Sequence, residues 1–239
     1  MDGIHPRSGR SLLTAPARPW AAGLLVGCAI LVAVLGVLFA HQAAADQFDH
    51  AVDSPVITWF GSHQHLASWL AFPGTLIPAV VLSAAMVIGC LLAGRLAGAV
   101  LAAVAVPVAI GLNEVLLKPL VHRTYLGQIT YPSGHTATTF ALAATVTLLL
   151  LGTRRPRRLL RILIPAMAFV LGCVVAVAVI GLRWHYFTDT VAGAAVGTGT
   201  VCGLALVLDR PAVRRWLETA SRRLPVVRPS RIPHRSATT

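Results

Sequence analysis

The chain has 239 residues, of which 56% are hydrophobic and only 12% charged. That is about half the charged fraction of a soluble globular domain, so a single water-soluble core is excluded and the bilayer becomes the solvent of one helical domain. The net charge of +12 would suit nucleic acid, but 19 of the 20 basic residues are Arg and nearly all sit in tails and loops between apolar runs; this is the pattern of membrane orientation, and nucleic-acid binding is set aside.

Six apolar runs follow one another at 21–40, 73–94, 96–117, 135–152, 162–182 and 190–208. Each has the length of a helix that crosses the hydrocarbon layer. The predicted fold is therefore all-α, an integral membrane six-helix bundle with a short segment 1–20 before it and a basic tail 209–239 after it. The first run follows Arg7, Arg10 and Arg18. It is longer than a secretory h-region and reads as a retained anchor, although 40–45 has some likeness to a cleavage site.

Between the first two runs lies a polar stretch, 41–72, with Asp46, Asp49, Asp53, four histidines, Trp59, Phe60 and Trp69. Mixed aromatic and polar residues suit an interfacial helix, and an ordered loop covering the bundle is the other reading. His63 and His65 lack a neighbouring metal motif and read as surface residues. Pro78, Pro107 and Pro165 fall inside runs, where membrane helices accommodate them as kinks. Cys28, Cys90, Cys173 and Cys202 are dispersed in apolar runs and read as small hydrophobes.

Counting basic residues on alternate sides places 17 on one face and only Lys118, Arg123 and Arg183 on the other. The positive-inside rule then predicts cytoplasmic termini with the three exceptions outside, and the expected location is the plasma membrane. Those exceptions lie in polar clusters: Asn113–Arg123 at the end of the third run, Tyr131–Ala137 at the start of the fourth, and Arg183–Asp189 after the fifth. All three are predicted to meet in one pocket at the extracytoplasmic face.

The composition of that pocket is that of a phosphate cradle. Lys118, Arg123 and Arg183 supply positive charge. Ser133 and Gly134 precede a helix whose N-terminal amides can face an anion. His185 and Asp189 are four apart, so on a helical turn they share a face, and the carboxylate would fix the imidazole's tautomer. His185 is then a nucleophile toward phosphorus and His135 a general acid. The bland alternatives are snorkelling anchors for Lys118 and Arg123, an N-cap for Ser133, an interfacial belt for His185 with Trp184 and Tyr186, and, for Glu114, an ion pair orienting Lys118.

Three motifs, Lys118–Pro119–x–x–x–Arg123, Pro132–Ser133–Gly134–His135 and His185–x–x–x–Asp189, resemble the signatures of the type 2 phosphatidic acid phosphatase superfamily, which includes lipid phosphate phosphatases and vanadium haloperoxidases. The resemblance implies a phosphohistidine on His185, general-acid catalysis by His135, phosphate binding by Lys118, Ser133 and Gly134, and neither metal nor other cofactor. Two departures stand out. The family's first-motif Arg-Pro falls at Tyr125–Leu126 here, and its third-motif Arg falls at Val179. Arg123 and Arg183 are the nearest substitutes, Arg183 being one helical turn from Val179.

The expected function is hydrolysis of the terminal phosphate of a lipid phosphate or pyrophosphate held in the bilayer. A non-catalytic lipid-phosphate binder or transporter is the rival, though transport would call for more polar residues deep in the spans.

Overall fold

The computed structural model describes residues 11–152 and 158–223. The expectations for 1–10, for the arginines of 153–157 and for the end of the tail, 224–239, lie outside these residues.

Helix α1 spans Ala17–Phe39. Two short helices follow, α2 at Gln47–Phe60 and α3 at Gln64–Ala71. A 3₁₀ turn then joins α3 to α4 at Leu76–Leu92. Helix α5, Leu96–Gly111, runs through a π-helical turn at Leu112–Leu117 into α6 at Lys118–Val121. A hairpin, β1 Thr124–Tyr125 and β2 Gln128–Ile129, precedes α7 at Gly134–Leu151, α8 at Arg158–Gly181, α9 at Phe187–Leu208 and α10 at Pro211–Arg223.

Among the described residues, six helical stretches are long and apolar enough to cross a membrane: Ala17–Phe39, Gln64–Leu92, Leu96–Val121, Gly134–Leu151, Arg158–Gly181 and Phe187–Leu208. They match the six predicted runs. The second starts nine residues earlier than expected, at 64 rather than 73, because α3 continues almost without break into α4. The predicted tail opens as an amphipathic helix, α10, with Leu217 buried and Trp216 exposed.

Helices α7 and α9 form the centre. They pack at backbone contact because a Cβ on Gly193 would lie 2.4 Å from the Ser133 carbonyl oxygen, and one on Gly197 would lie 2.2 Å from that of Ala137. No side chain fits at either position, and this Gly-xxx-Gly pair sets the start of α7 against the start of α9. The other helices surround the pair, with Ala99, Ala102 and Ala105 of α5 among the small residues in the shared core.

The two ends of the bundle are distinct. At one end Asp209, after α9, accepts hydrogen bonds from the amides of Leu12 and Leu13 at 2.8 Å each, and Arg95 Nη1 donates to the carbonyl of Leu149 at 2.8 Å. Lys118, Arg123, His135, Arg183 and His185 are all at the other end, with α2 beside them. Among the described residues, the three basic exceptions of the sequence thus lie at the end opposite Arg18 and Arg95.

Candidate active site

The π-helical turn carries one extra residue per turn and re-phases the end of the third span. It buries Asn113, whose Nδ2 donates to the carbonyl of Pro132 at 3.2 Å. Lys118 Nζ meets Oε1 of Glu114, four residues before it, at 2.8 Å. Lys118 is thereby held on the wall of a cavity of about 760 Å³, together with Gly134, His135, Arg183 and His185.

Helix α7 begins beneath this cavity. Ser133 is its N-cap, its Oγ accepting from the Thr136 amide at 3.4 Å, and its own N–H donates to the Asp189 carbonyl at 2.9 Å. Ser133 is wholly buried. The expected two-residue cradle therefore reduces on the cavity wall to Gly134 and the helix start behind it. His135, in the first turn, has its ring centroid 6.4 Å from that of His185 and 5.3 Å from that of Trp184.

His185 is not on a helix. It lies in the loop 182–186 between α8 and α9. Its Nδ1 donates to the carbonyl of Thr130 at 2.9 Å, while Asp189 Oδ2 is farther away, at 3.9 Å. The tautomer expected to be fixed by Asp189 is fixed instead by a backbone carbonyl, which can only accept; Nδ1 carries the proton and Nε2 keeps its lone pair. Burial, with smaller contributions from His135 and Lys118, pushes the His185 imidazole down to about 3 against the bond to Thr130. It is neutral at physiological pH, the form a nucleophile needs.

The Asp189 carboxylate is engaged elsewhere. Oδ2 accepts from the amide of Tyr186 at 3.1 Å as part of a capping box, and Oδ1 accepts from Arg123 Nη1 at 2.7 Å. Arg123 is completely buried, its guanidinium between the rings of Phe39 and Tyr186 at 4.1 and 4.3 Å, with Nη2 on Asp49. It is absent from the cavity wall. The expectation that it meets substrate phosphate departs from this placement: with both carboxylates behind the cavity, the charge of Arg123 is neutralised there.

Arg183 does reach the wall, though not along a helix face. Helix α8 stops at Gly181, and the amides of Arg183 and Trp184 bond back to the carbonyls of Ile180 and Val179 at 2.8 and 3.0 Å, a Schellman end. Arg183 occupies its left-handed position with φ of 58°, where glycine is usual and a side chain costs about 1 kcal/mol. Val179 points into the core and is fully buried, so the two positions do not share a face as expected. Arg183 is exposed, and among the described residues no ion-pair partner accompanies it.

Thr130, Asp49 and Asp53 were not singled out by the motifs. Asp53 Oδ1 accepts from the amide of Phe187 at 3.1 Å. Burial first, then the neighbouring Asp49 carboxylate, pushes the Asp53 carboxyl up to about 7 from 3.8, with the Phe187 amide opposing. The folded state thus holds a proton that the unfolded state releases, and stability falls as pH rises between these values. His185 acts in the opposite sense, between about 3 and 6.5. The comparison of Asp53→Asn with wild type cancels that term: the melting-temperature advantage of the variant is expected to grow from pH 4 to pH 7 and level off above, since Asn keeps the acceptor and removes the charge. Thermal unfolding in detergent over that range measures it.

Among the described residues, no three His, Cys, Asp or Glu side chains are grouped to hold a metal ion.

Residues 115–211, which contain the three motifs from Lys118 to Asp189, match the family model described as the PAP2 superfamily. No curated protein matches the chain. The fold is similar to that in the "Crystal structure of the first transmembrane PAP2 type phosphatidylglycerolphosphate phosphatase from Bacillus subtilis", at 17% sequence identity and a TM-score of 0.56, with 87% of this chain and 98% of that chain covered. The chain is a six-span helical protein that resembles the PAP2 superfamily in its central segment and in its fold.

Proposed function

We propose that the protein is a membrane phosphatase that removes the terminal phosphate of a lipid phosphate or pyrophosphate through a phosphohistidine on His185. The observation that carries this reading is the His185 ring: its Nδ1 proton is committed to Thr130 and it sits on a cavity wall with Lys118 and His135. Similarity to the PAP2 superfamily over residues 115–211 supports the same chemistry.

The lipid tail stays in the bilayer and the headgroup enters from the extracytoplasmic side. Lys118, the Gly134 amide at the start of α7 and Arg183 bind the phosphate oxygens. Nε2 of His185 attacks phosphorus and the P–O bond to the lipid breaks. The departing oxygen takes a proton from protonated His135. Ring centroids 6.4 Å apart suit a phosphoryl group bridging the two, with the attacking atom about 3–3.5 Å from phosphorus. The positive charge that develops on His185 is shared with the Thr130 carbonyl and stabilised by Asp189 at 3.9 Å. His135, now neutral, accepts a proton from the water that attacks phosphorus. The P–N bond breaks and inorganic phosphate leaves; the lipid product of the first step is the alcohol from a monophosphate and the lipid monophosphate from a pyrophosphate. No step uses a metal.

The test is inorganic phosphate release by the purified protein over a panel of phosphatidate, phosphatidylglycerophosphate and prenyl mono- and diphosphates. At least one lipid is expected to turn over, with inhibition by vanadate and indifference to EDTA. Binding without release would favour a lipid-phosphate binder, and EDTA inactivation reversed by a divalent ion would overturn the metal-free mechanism.

A further inference from the structure

The nucleophile loop, 182–186, is short, and helix α2 reaches both of its ends. At the far end, a Cβ on Gly181 would lie 2.3 Å from the ring of Phe60, so α2 abuts the last turn of α8. Gln64 Nε2, just beyond α2, donates to the Gly181 carbonyl at 3.4 Å. At the near end, Asp53 takes the amide of Phe187 at 3.1 Å and Asp49 takes that of Thr188 at 3.0 Å. With Asp189 on Tyr186, three consecutive amides at the start of α9 are each held by a carboxylate, two of them from α2.

Asp49 also reaches the ring of His185 by a second route. Its Oδ2 accepts from Arg123 Nη2 and from Thr188 Oγ1. The Arg123 carbonyl accepts from the amide of Thr130 at 2.9 Å, and the Thr130 carbonyl accepts from His185 Nδ1 at 2.9 Å. Asp49 is itself buried completely and sits in the first turn of α2, where its amide is capped by Asp46 at 2.7 Å. Of these residues, those of α2, its cap Asp46 and Gln64 lie outside the segment matched by the family model, 115–211, and the loop and relay that they hold lie inside it.

We propose that α2 is a strap that fixes the nucleophile loop at both ends, and that Asp49 is a positioning residue which sets the ring orientation and tautomer of His185 through Thr188 and the Arg123–Thr130 relay. The catalytic consequence rests on the phosphatase reading above. A nucleophile displaced by a fraction of an ångström loses transition-state stabilisation without losing substrate affinity. Asp49 touches neither the cavity wall nor, therefore, the substrate.

The experiment uses the full chain in detergent, with Asp49→Asn and the near-isosteric Thr188→Val, which removes only the hydroxyl that links Asp49 to Arg123. Both are expected to lower kcat by about 10- to 100-fold with KM within about twofold of wild type, measured per folded molecule. In ¹⁵N spectra of histidine-labelled protein, His185 is expected to be the Nδ1–H tautomer in wild type and a mixture in the variants. Unchanged kcat per folded molecule with only a lower melting temperature would reduce α2 to a structural support and overturn the proposal. If Asp49→Asn does not fold, Thr188→Val alone decides by the same readings. If wild type turns over no lipid, the phosphatase reading fails, and the tautomer measurement still decides whether Asp49 sets the ring.

Discussion

His185→Ala is expected to release inorganic phosphate about a thousandfold or more slowly than wild type, because it removes the attacking atom and not merely a contact. Alanine alone leaves a doubt about folding, since His185 is buried and its Nδ1 ties the loop to the Thr130 carbonyl. His185→Asn resolves it. The Asn amide nitrogen can donate to Thr130 in place of Nδ1, so the tether survives while Nε2 is gone. An equal loss in both variants, with the melting temperature of the Asn form near wild type, assigns the effect to chemistry. Single-turnover experiments with a lipid labelled on its terminal phosphate should trap label on wild-type protein and none on either variant. Residual turnover in His185→Asn within tenfold of wild type would sink the phosphohistidine mechanism, because no other uncharged imidazole with a committed Nδ1 lies on the cavity wall among the described residues.

The features legible in the sequence and those that were not divide along physical lines. Membrane spans follow from composition over some twenty residues, and all six appeared close to where the apolar runs lay. The convergence of the three polar clusters at one end followed from counting charges, because alternate loops of a spanning bundle must share a face. What could not be read was direction at the scale of one side chain. The spacing of His185 and Asp189 predicts one helical face, but α9 begins at Phe187, so the four residues bridge a loop and a cap. A helix through Arg183 would put it in register with Val179, but α8 ends first. The partner of His185 is a main-chain carbonyl, which no side-chain motif can announce. Asp49 and Asp53 were in plain view, with Asp46 three of eight acidic residues in the whole chain, and their spacing of four puts them on one face of a helix. Their partners lie some 135 residues away in sequence, beyond the reach of any local pattern.

Arg123 carries the other large expected effect, on stability and not on substrate affinity. Its guanidinium binds Asp49 and Asp189, and both partners are wholly buried. Arg123→Ala would leave two carboxylates facing each other away from water, with Asp53 close by; breaking a buried ion pair by removing one partner costs about 3–5 kcal/mol. Arg123→Lys should recover little of this, since one ammonium cannot replace a planar fork that serves Asp189, Thr188 and Asp49 while lying between Phe39 and Tyr186. Lys118→Ala is the contrasting case. Lys118 stands on the cavity wall with Glu114 as its one ion-pair partner among the described residues, so its loss should barely move the melting temperature while KM rises by about 10- to 100-fold, the value of one charge-assisted phosphate contact. A direct phosphate role for Arg123 makes the reverse prediction: a raised KM at an unchanged melting temperature. Thermal unfolding and steady-state kinetics on the three variants separate the two, and the buried placement requires that the arginine variants fail first in the fold.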